Sequence, residues 1–424
     1  MKRWPPSAFA ALVHRDFTLI WMSQFISSVG TQIQTVALGW LVYDLTGSAA
    51  LLGGIALARA IPTIFLSLFG GTLADQVDRR VLLLISQTIL ALFSALLAIA
   101  IQGGLTNITI LYAFAVLTAA ASAVSVPTTQ AFIPALVDRE RLANALTLNV
   151  LAFNVAAVVG PAVGGLVIGG LGVAAAYWID AASFFVVIGA LIAMRSRITP
   201  EPLPRRGLAA LVDGLTFVRE RPVLWQLMVI DFLAVLFASR FGLLPVFAET
   251  VLKIGAQGLG FLYAAVSFGA VFGSALFTFL PLPKRPGRLV ALTILAYGAV
   301  LSVFGLVHSF AFALVLLAIS GGLDAVSSAL RQTARQLATP DNLRGRVGAL
   351  ASTFAIGGPR LGDFQAGMVA SVVGAGNAMV IGGATCFAMA FLSRWWARPL
   401  WSYHGQELVP DDTTLAAQSA TSGS

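Results

Sequence analysis

Long apolar segments recur along the whole of this chain, and they constrain its fold more than any other feature. Twelve stretches of about 20 residues or more are each long enough to cross about 30 Å of hydrocarbon as a helix. They lie at approximately 17–43, 50–74, 81–102, 107–130, 145–169, 173–194, 223–247, 256–280, 288–307, 309–332, 347–373 and 376–396. The sequence therefore predicts an all-α integral membrane protein with twelve transmembrane helices, embedded in the cell (inner or plasma) membrane.

The composition and the missing motifs exclude several other classes of protein. Only 10% of the 424 residues are charged, against about 25% in soluble domains. The net charge is +8, but the basic residues are dispersed among short loops, so no nucleic-acid partner is expected. One cysteine and three isolated histidines predict no metal site. The sequence has no Gly-x-x-x-x-Gly-Lys-Ser/Thr loop for ATP. Hence no enzymatic activity and no cofactor are expected.

The charges of the loops orient the predicted bundle. Most of the 26 Lys and Arg residues fall in the N-terminal stretch, the central loop and the other loops on that side, among them Arg331 and Arg335. The opposite loops carry Lys253 alone. The positive-inside rule then predicts that both termini and the central loop lie in the cytoplasm. The first apolar run is too long for a signal-peptide core, so we expect it to be retained as span one.

One long polar connector divides the spans into two groups of six. It covers residues 195–222, between an N-terminal six-helix half at 1–194 and a C-terminal six-helix half at 223–397. Residues 398–424 end in the low-complexity sequence DDTTLAAQSATSGS. They are predicted to form a disordered cytoplasmic tail.

A short motif recurs at corresponding places of the two halves. The pentapeptide GPAVG at 160–164 lies in span five, and GPRLG at 358–362 lies in span eleven. Proline frees a backbone carbonyl and bends a membrane helix, while glycine allows close helix contact. The repeat predicts a duplicated unit of six spans, with parallel copies because that number is even. The motif serves either ordinary helix packing or a hinge between moving half-bundles.

This organisation resembles that of the major facilitator superfamily, and the loop after span two adds to the resemblance. The family signature there is Gly-x-Leu-Ala-Asp-x-x-Gly-Arg-Arg, which residues 71–80 match except that Asp78 replaces the usual glycine. The resemblance implies the major facilitator fold, with Asp75 beside the cytoplasmic start of span eleven, where a helix N-terminus stabilises a carboxylate. The gating residues that it implies are Gly71, Asp75, Arg79 and Arg80. Alternatively, these charges only anchor a turn in water.

A second signature lies in span five. Gly160, Pro161, Gly164 and Gly165 match the antiporter motif of family exporters that exchange cargo for protons, although Ala156 stands where the motif usually has glycine. The sequences WLVYDLTGSAALLGG at 40–54 and NLRGRVGAL at 342–350 are similar to those of the enterobactin-exporter and macrolide-efflux group, often called transmembrane secretion effectors. The resemblance implies proton-coupled efflux, of drug or siderophore type, by alternating access. The few fixed charges and many Phe residues expected around a central cavity favour small amphipathic or lipophilic molecules as cargo.

Three charged residues within the spans of the second half are candidates for proton coupling or cargo binding. A charge costs about 2.5–3.5 kcal/mol to insert into a membrane, so it indicates function. Asp231 and Arg240 are nine residues apart in span seven, a rotation of about 900° that puts them on opposite helix faces, so each needs another partner. Asp324 lies in span ten. The family fold places spans one, four, seven and ten around a cavity. Asp231 and Asp324 are our preferred proton carriers, with structural ion pairs as the alternative.

Two stripes of small polar residues are predicted to line the same cavity. They are Gln24, Ser28, Thr31 and Thr35 in span one, and Thr118, Ser122, Ser125 and Thr129 in span four. Steps of three and four residues keep each set on one helix face. Hydroxyl groups at such positions also commonly bond to their own helix.

A further network is predicted where the two halves meet. Arg360 and Asp363 are three residues apart on one face of span eleven. The family fold packs span two beside span eleven, so Arg59 is expected to reach Asp363. The three residues are interpreted as a structural or gating network.

Two other functions stay open. The first is a lysophospholipid flippase or an uncoupled facilitator, and the second, of another class, is a non-transporting membrane receptor or scaffold. The expected partners are a small-molecule substrate, protons and the lipid bilayer, and a monomer is favoured. The sequence leaves the cargo, the direction and the stoichiometry of transport open.

Overall fold

The computed structural model describes residues 9–74, 78–195, 215–279, 285–339 and 341–403, and every regular element within them is a helix. Long helices occupy all twelve predicted positions, so the predicted fold class is confirmed. Their bounds are α1 Arg15–Thr46, α2 Ala49–Ala74, α3 Arg79–Gln102, α4 Ile108–Phe132, α5 Leu142–Leu171, α6 Val173–Ala193, α7 Pro222–Phe237, α8 Gly255–Thr278, α9 Pro286–Phe304, α10 Phe310–Ala338, α11 Asp341–Val373 and α12 Ala375–Trp396. A short helix, α13, covers Arg398–Ser402, and 3-10 turns cover Ala10–Val13, Ile133–Leu136 and Arg139–Arg141.

Eleven of these segments are long and apolar enough to cross a membrane, judged by length and composition over the described residues. Helix α11 carries the polar residues Arg360, Asp363 and Gln365 within its length. Its 33 residues nevertheless span about 50 Å, and it packs along α2 and α7. Helix α11 is therefore long enough to cross a membrane, with one face packed on its neighbours and side chains such as Met368 and Val372 exposed.

Span seven is not one continuous helix. After α7 ends at Phe237, residues 238–240 are not helical, and the chain resumes as a 3-10 turn Phe241–Leu243, an α-helical turn Leu244–Phe247 and a π-helical turn Ala248–Leu252. We call residues 241–252 the outer segment of span seven. The span thus ends five residues later than predicted, because the chain turns only at Lys253, which has a left-handed φ of 53°.

The apolar core is shared between the halves at one end of the bundle only. We call the end where α1 begins the terminal face and the end where α1 finishes the far face. At the far face one buried cluster runs through both halves, from Ile33 of α1 to Met379 of α12. Near the terminal face the clusters belong to single halves, one around Phe17 in the first half and two around Leu227 and Val347 in the second. The halves are therefore joined through the far face.

Glycines bring the two halves into direct helix contact. A Cβ atom added to Gly165 of α5 would lie 2.7 Å from the carbonyl oxygen of Ala256 in α8 and 2.9 Å from the Cα of Gly260. A Cβ atom on Gly367 of α11 would lie 2.5 Å from the carbonyl oxygen of Ala49 in α2. The α5–α8 and α2–α11 crossings thus occupy corresponding places in the two halves.

Two predictions about loops and termini need correction. Arg331 and Arg335 are predicted to be loop charges, but both lie in α10. Arg331 falls within the predicted span at 309–332, and Arg335 lies beyond its end because the helix continues to Ala338. The tail predicted to start at Arg398 begins as helix α13, whose fully buried Leu400 packs against Gly287 of α9. The remainder of the predicted tail and most of the central connector lie outside the described residues.

Candidate functional site

Two acid–arginine pairs lie against α10 in the second half. In the first, Asp231 Oδ1 of α7 is 2.9 Å from Arg331 Nη2 of α10. Arg331 Nη1 also donates a hydrogen bond of 2.6 Å to Ser327 Oγ, one turn earlier on α10. The side chain of Arg331 is 9% exposed and that of Asp231 is 26% exposed, so the cation is the more deeply buried partner.

The second pair joins the break in span seven to α10. Arg240 Nη2 lies 3.3 Å from Asp324 Oδ2, and Arg240 Nη1 donates to the hydroxyl of Tyr297 in α9. That hydroxyl in turn donates a hydrogen bond of 2.8 Å to the carbonyl of Ala238 at the break. The side chain of Arg240 is 5% exposed and that of Asp324 is 47% exposed. Here too the cation is buried and the acid is accessible.

Both pairs line one cavity of about 140 Å³ between α7, α9, α10 and α11. The structure thus brings together Asp231, Arg240 and Asp324, the three span charges selected from the sequence. Asp231 and Arg240 have separate partners, as predicted, but Arg240 lies in the break after α7, so the prediction from opposite faces of one helix does not apply to it. Arg331 lies near the end of the predicted span at 309–332 and is counted among the loop charges, so it is not among the predicted site residues. The seven-residue spacing from Asp324 to Arg331, about 700° of rotation, was the signal that both lie on one helix face.

A larger cavity, of about 460 Å³, lies within the first half. Amides and hydroxyls of α1, α3, α4 and α5 line it together with Arg59 of α2 and several phenyl rings. The predicted polar stripes contribute Gln24, Ser28, Thr31, Thr118, Ser122, Ser125 and Thr129 to its wall. Thr35 is not part of this lining, and its hydroxyl donates to the carbonyl of Thr31 at 2.9 Å.

Glutamine 87 of α3 is a lining residue that the sequence analysis did not select. Gln87 Nε2 donates a hydrogen bond of 3.0 Å to Ser125 Oγ, and Gln87 is buried. The polar run Ser86-Gln87-Thr88 within the largely apolar α3 was the available signal. Thr118 lines the cavity as well, but its hydroxyl is satisfied by the carbonyl of Phe114 at 2.8 Å. Some polar side chains of the cavity wall are therefore already hydrogen-bonded to the protein, whereas others, such as Gln24 Nε2, have no partner.

Asp363 stabilises the break in span seven. Its Oδ1 accepts hydrogen bonds from Ser239 Oγ and, at 2.9 Å, from the backbone N–H of Gly242. Among the described residues no ion pair within 4.0 Å joins Asp363 to Arg59 or Arg360, so the predicted pairing is corrected. The free backbone donor at the start of the outer segment takes the carboxylate instead, as in a helix cap.

One family profile matches the sequence over almost its entire length. This profile, described as transmembrane secretion effector, covers residues 6–414. The chain belongs to the transmembrane secretion effector family. It is accordingly a multi-pass membrane transporter of the major facilitator type and not an enzyme.

Relatives of known name and solved structures agree with this assignment. Enterobactin exporters EntS of Shigella boydii serotype 4 (strain Sb227) and of Escherichia coli O1:K1 / APEC are 29% identical over 377 residues, which is 87% of this chain and 90% of theirs. The nucleoside transporter NupG superposes with a TM-score of 0.74 at 12% identity, covering 92% of this chain and 99% of that one. A bacterial homologue of ferroportin in an inward-facing state gives 0.71 at 14% identity, covering 92% and 99%. At these identities the two structures show the fold alone.

In this transmembrane secretion effector, the described part of the loop after α2 explains the departure from the superfamily signature. Asp78, in place of glycine, caps α3, because its carboxylate accepts a hydrogen bond of 2.8 Å from the N–H of Arg80. Arg80 Nη2 donates to a carbonyl of α6 at 3.1 Å, and Arg79 is buried. Gly71 lies in the last turn of α2, and Asp75 lies outside the described residues. The gating role of this loop stays a prediction.

The antiporter-like motif of this transmembrane secretion effector packs α5 against helices of both halves. A Cβ atom on Gly160 would lie 2.5 Å from Gln32 Cβ of α1, and one on Gly164 would lie 3.1 Å from Ile33 Cα. Gly165 makes the contact with α8 in the other half. The motif therefore makes close packing possible on two sides, and its role as a hinge stays a prediction.

Proposed function

We propose that this transporter is a proton-coupled exporter of small amphipathic molecules. The observation that carries the proposal is the placement of two acid–arginine pairs, Asp231–Arg331 and Asp324–Arg240, on one cavity inside the bundle. Export as the direction follows the relatives, which are described as enterobactin exporters. The same relatives make a siderophore-type compound the first cargo to test.

Each pair can couple a proton to a conformational change. An ionised carboxylate balances the positive charge of the adjacent guanidinium. A protonated carboxyl group leaves the buried arginine without a counter-charge. Removing one partner of a buried pair costs about 3–5 kcal/mol, and less where the acid is exposed. The protonated state therefore favours an arrangement in which the arginine reaches water or a new partner. Arg240 stands at the break of span seven, where the backbone moves without disrupting a regular helix.

The passage for cargo is assigned to the space between the halves. With both termini in the cytoplasm, as the loop charges predict, the far face is the outer face, and the shared apolar cluster closes it. The terminal face, where each half has its own core, is then the side of cargo entry. Rocking of the halves about the α5–α8 and α2–α11 contacts then closes the terminal face and opens the far face.

Proteoliposomes that hold the purified protein and a pH-sensitive dye test the proposal. The panel of cargoes comprises siderophores, macrolides and lipophilic cations. One class is expected to trigger proton movement, and Asp231→Asn or Asp324→Asn is expected to abolish it. Exchange of labelled for unlabelled cargo at equal pH is expected to survive in both variants, because exchange needs no net proton transfer.

Asp44→Asn provides the matched control. Asp44 is an exposed acid near the end of α1 and lines neither cavity, so this variant should move protons as the wild type does. Cargo movement that ignores the pH gradient in the wild type would contradict proton coupling. Equal loss of proton movement in Asp44→Asn would contradict the assignment to the paired acids.

A further inference from the structure

The described lining of the first-half cavity contains one cation and no acid. Arg59 of α2 lines it, and none of the described lining residues is Asp or Glu. The described residues form no hydrogen bond or ion pair with the guanidinium of Arg59, and its Nε is buried without a partner. A charged residue close enough to influence it is Arg360 of α11, which has the same sign. The electrostatic potential at this site is therefore positive.

Arg59 differs in this respect from the arginines of the second half. Arg240 and Arg331 each have a carboxylate within 3.3 Å. The acid that was expected to meet Arg59, Asp363, is engaged by Ser239 and Gly242. A buried charge is costly unless it is paired and hydrogen-bonded. The missing partner of Arg59 is thus expected to come from outside the chain.

The surroundings of Arg59 fit an amphipathic ligand. Gln24 Nε2 lines the same cavity and is a second buried donor without a partner. Phe25, Phe153 and Phe184 add apolar wall. The volume of about 460 Å³ lies within the range of small-molecule sites. A guanidinium binds an oxyanion through two parallel hydrogen bonds, and this match is stronger than bonds between neutral groups.

We infer that the first-half cavity binds the acidic group of an anionic amphipathic cargo at Arg59, with the apolar body of the cargo against the phenyl rings. The inference deepens the proposed function, because only that function makes the ligand a cargo. It narrows the cargo class to acids and disfavours lipophilic cations. Carboxylates, sulfonates and phosphates share the required chemistry, whether they belong to a free acid or to a lipid headgroup.

Binding to detergent-purified protein, measured by equilibrium dialysis, tests the inference. The probes share one ring system and differ in charge: naphthalene-1-sulfonate, naphthalene-1-sulfonamide and 1-naphthylmethylammonium. The sulfonate is expected to bind saturably and about tenfold or more tighter than the sulfonamide, with the ammonium weakest. Arg59→Gln should lower sulfonate affinity by about tenfold or more and leave the sulfonamide unchanged. Arg59→Lys should retain part of the preference for the sulfonate.

Controls separate the role of Arg59 from general effects of charge and folding. Arg394→Gln removes an exposed arginine of α12 and should bind all probes as the wild type does. Unchanged sulfonamide binding shows that Arg59→Gln is folded. Three results would overturn the inference: no saturable binding of the sulfonate, equal affinities for the three probes, or equal loss of sulfonate binding in Arg394→Gln.

Competition identifies the source of the acid. Displacement of the sulfonate by lysophosphatidylglycerol, but not by lysophosphatidylcholine, supports a lipid headgroup. Displacement by naphthalene-2-carboxylate alone supports a free acid. Because binding is measured without a membrane or a gradient, failure of proton coupling leaves this result intact. Conversely, loss of the anion preference leaves the test of proton coupling intact.

Discussion

At the scale of single residues, each acid–arginine pair is asymmetric. Arg331 and Arg240 are the buried partners, while Asp231 and Asp324 are the more exposed ones. A proton can therefore reach either acid from the cavity, whereas the arginine left behind has little contact with water. In the proposed mechanism, this difference in burial means that protonation of the acid leaves the buried arginine without a counter-charge.

A double-mutant cycle tests the pair between α7 and α10. Asp231→Asn should destabilise the protein more than the double variant Asp231→Asn/Arg331→Gln, because only the single variant leaves a buried cation unpaired. The expected coupling energy is about 0.5–3 kcal/mol. Thermal unfolding of all four proteins in detergent, followed by intrinsic fluorescence, measures it. Strictly additive effects would contradict the pairing.

Asp363 offers a second test at this scale. Asp363→Ala removes the acceptor for Ser239 and for the N–H of Gly242, and a bond to a charged acceptor contributes about 1.5–3 kcal/mol. The melting temperature should fall, while Asp363→Asn, which keeps a carbonyl acceptor, should recover most of the loss. If instead Asp363 paired with Arg59 or Arg360, Asn would be as damaging as Ala.

The sequence predicts which charged residues within the spans are candidates for function, but it does not predict the residues with which they pair. The insertion cost of a charge selects Asp231, Arg240 and Asp324 from the sequence alone. Pairing depends on how the helices pack, and the packing of α10 near α7 brings Arg331 into the cavity beside Asp231. Asp363 pairs differently from expectation because a helix break on a neighbouring span competes for it.

At the scale of helices, the close helix contacts between the two halves occur at glycines, such as Gly165 and Gly367. The bounds of most spans could be predicted because hydropathy and bilayer thickness fix helix length. The break in span seven is not in the sequence prediction, although Pro245 lies just after it and leaves the carbonyl of Phe241 without its helical donor. It is stabilised by side chains from other helices: Asp363 bonds to Gly242, Tyr297 to Ala238, and Tyr263 to the carbonyl of Phe241 at 2.9 Å.

Two glycines of α5 form a matched pair for testing the crossing with α8. Gly165→Ala should lower the melting temperature and slow transport, because its Cβ would lie 2.7 Å from a backbone oxygen of α8. Overpacking of this kind costs about 1–3 kcal/mol. Gly170→Ala should be neutral, since nothing lies within 4 Å of its Cβ position. Equal effects of both changes, in thermal unfolding and transport assays, would contradict the close crossing.

At the scale of the whole molecule, the distribution of the core suggests one closed end. The sequence predicts the number of spans from hydropathy and the duplication from a repeated motif. Which end is closed depends on contacts between residues far apart in sequence, such as Ile33 and Met379 in the far-face cluster. The orientation in the membrane is a prediction from the loop charges.

Labelling of single cysteines in intact cells tests that orientation. His308→Cys lies in an exposed loop at the far face, and Glu140→Cys lies at the terminal face. The native Cys386 is fully buried and should not react. A membrane-impermeant maleimide should label His308→Cys in intact cells and Glu140→Cys only after permeabilisation. The reverse pattern would place the termini outside.

The central claim is that this transmembrane secretion effector couples export to protons. The most direct test asks whether a cargo gradient alone drives protons across the membrane. A gradient of the cargo identified in the panel is imposed across proteoliposomes at equal pH on both sides, and lumenal pH is recorded. The account predicts that protons move opposite to the cargo, and that Asp231→Asn carries cargo without this proton movement. A flat pH trace while the wild-type protein moves cargo would contradict it.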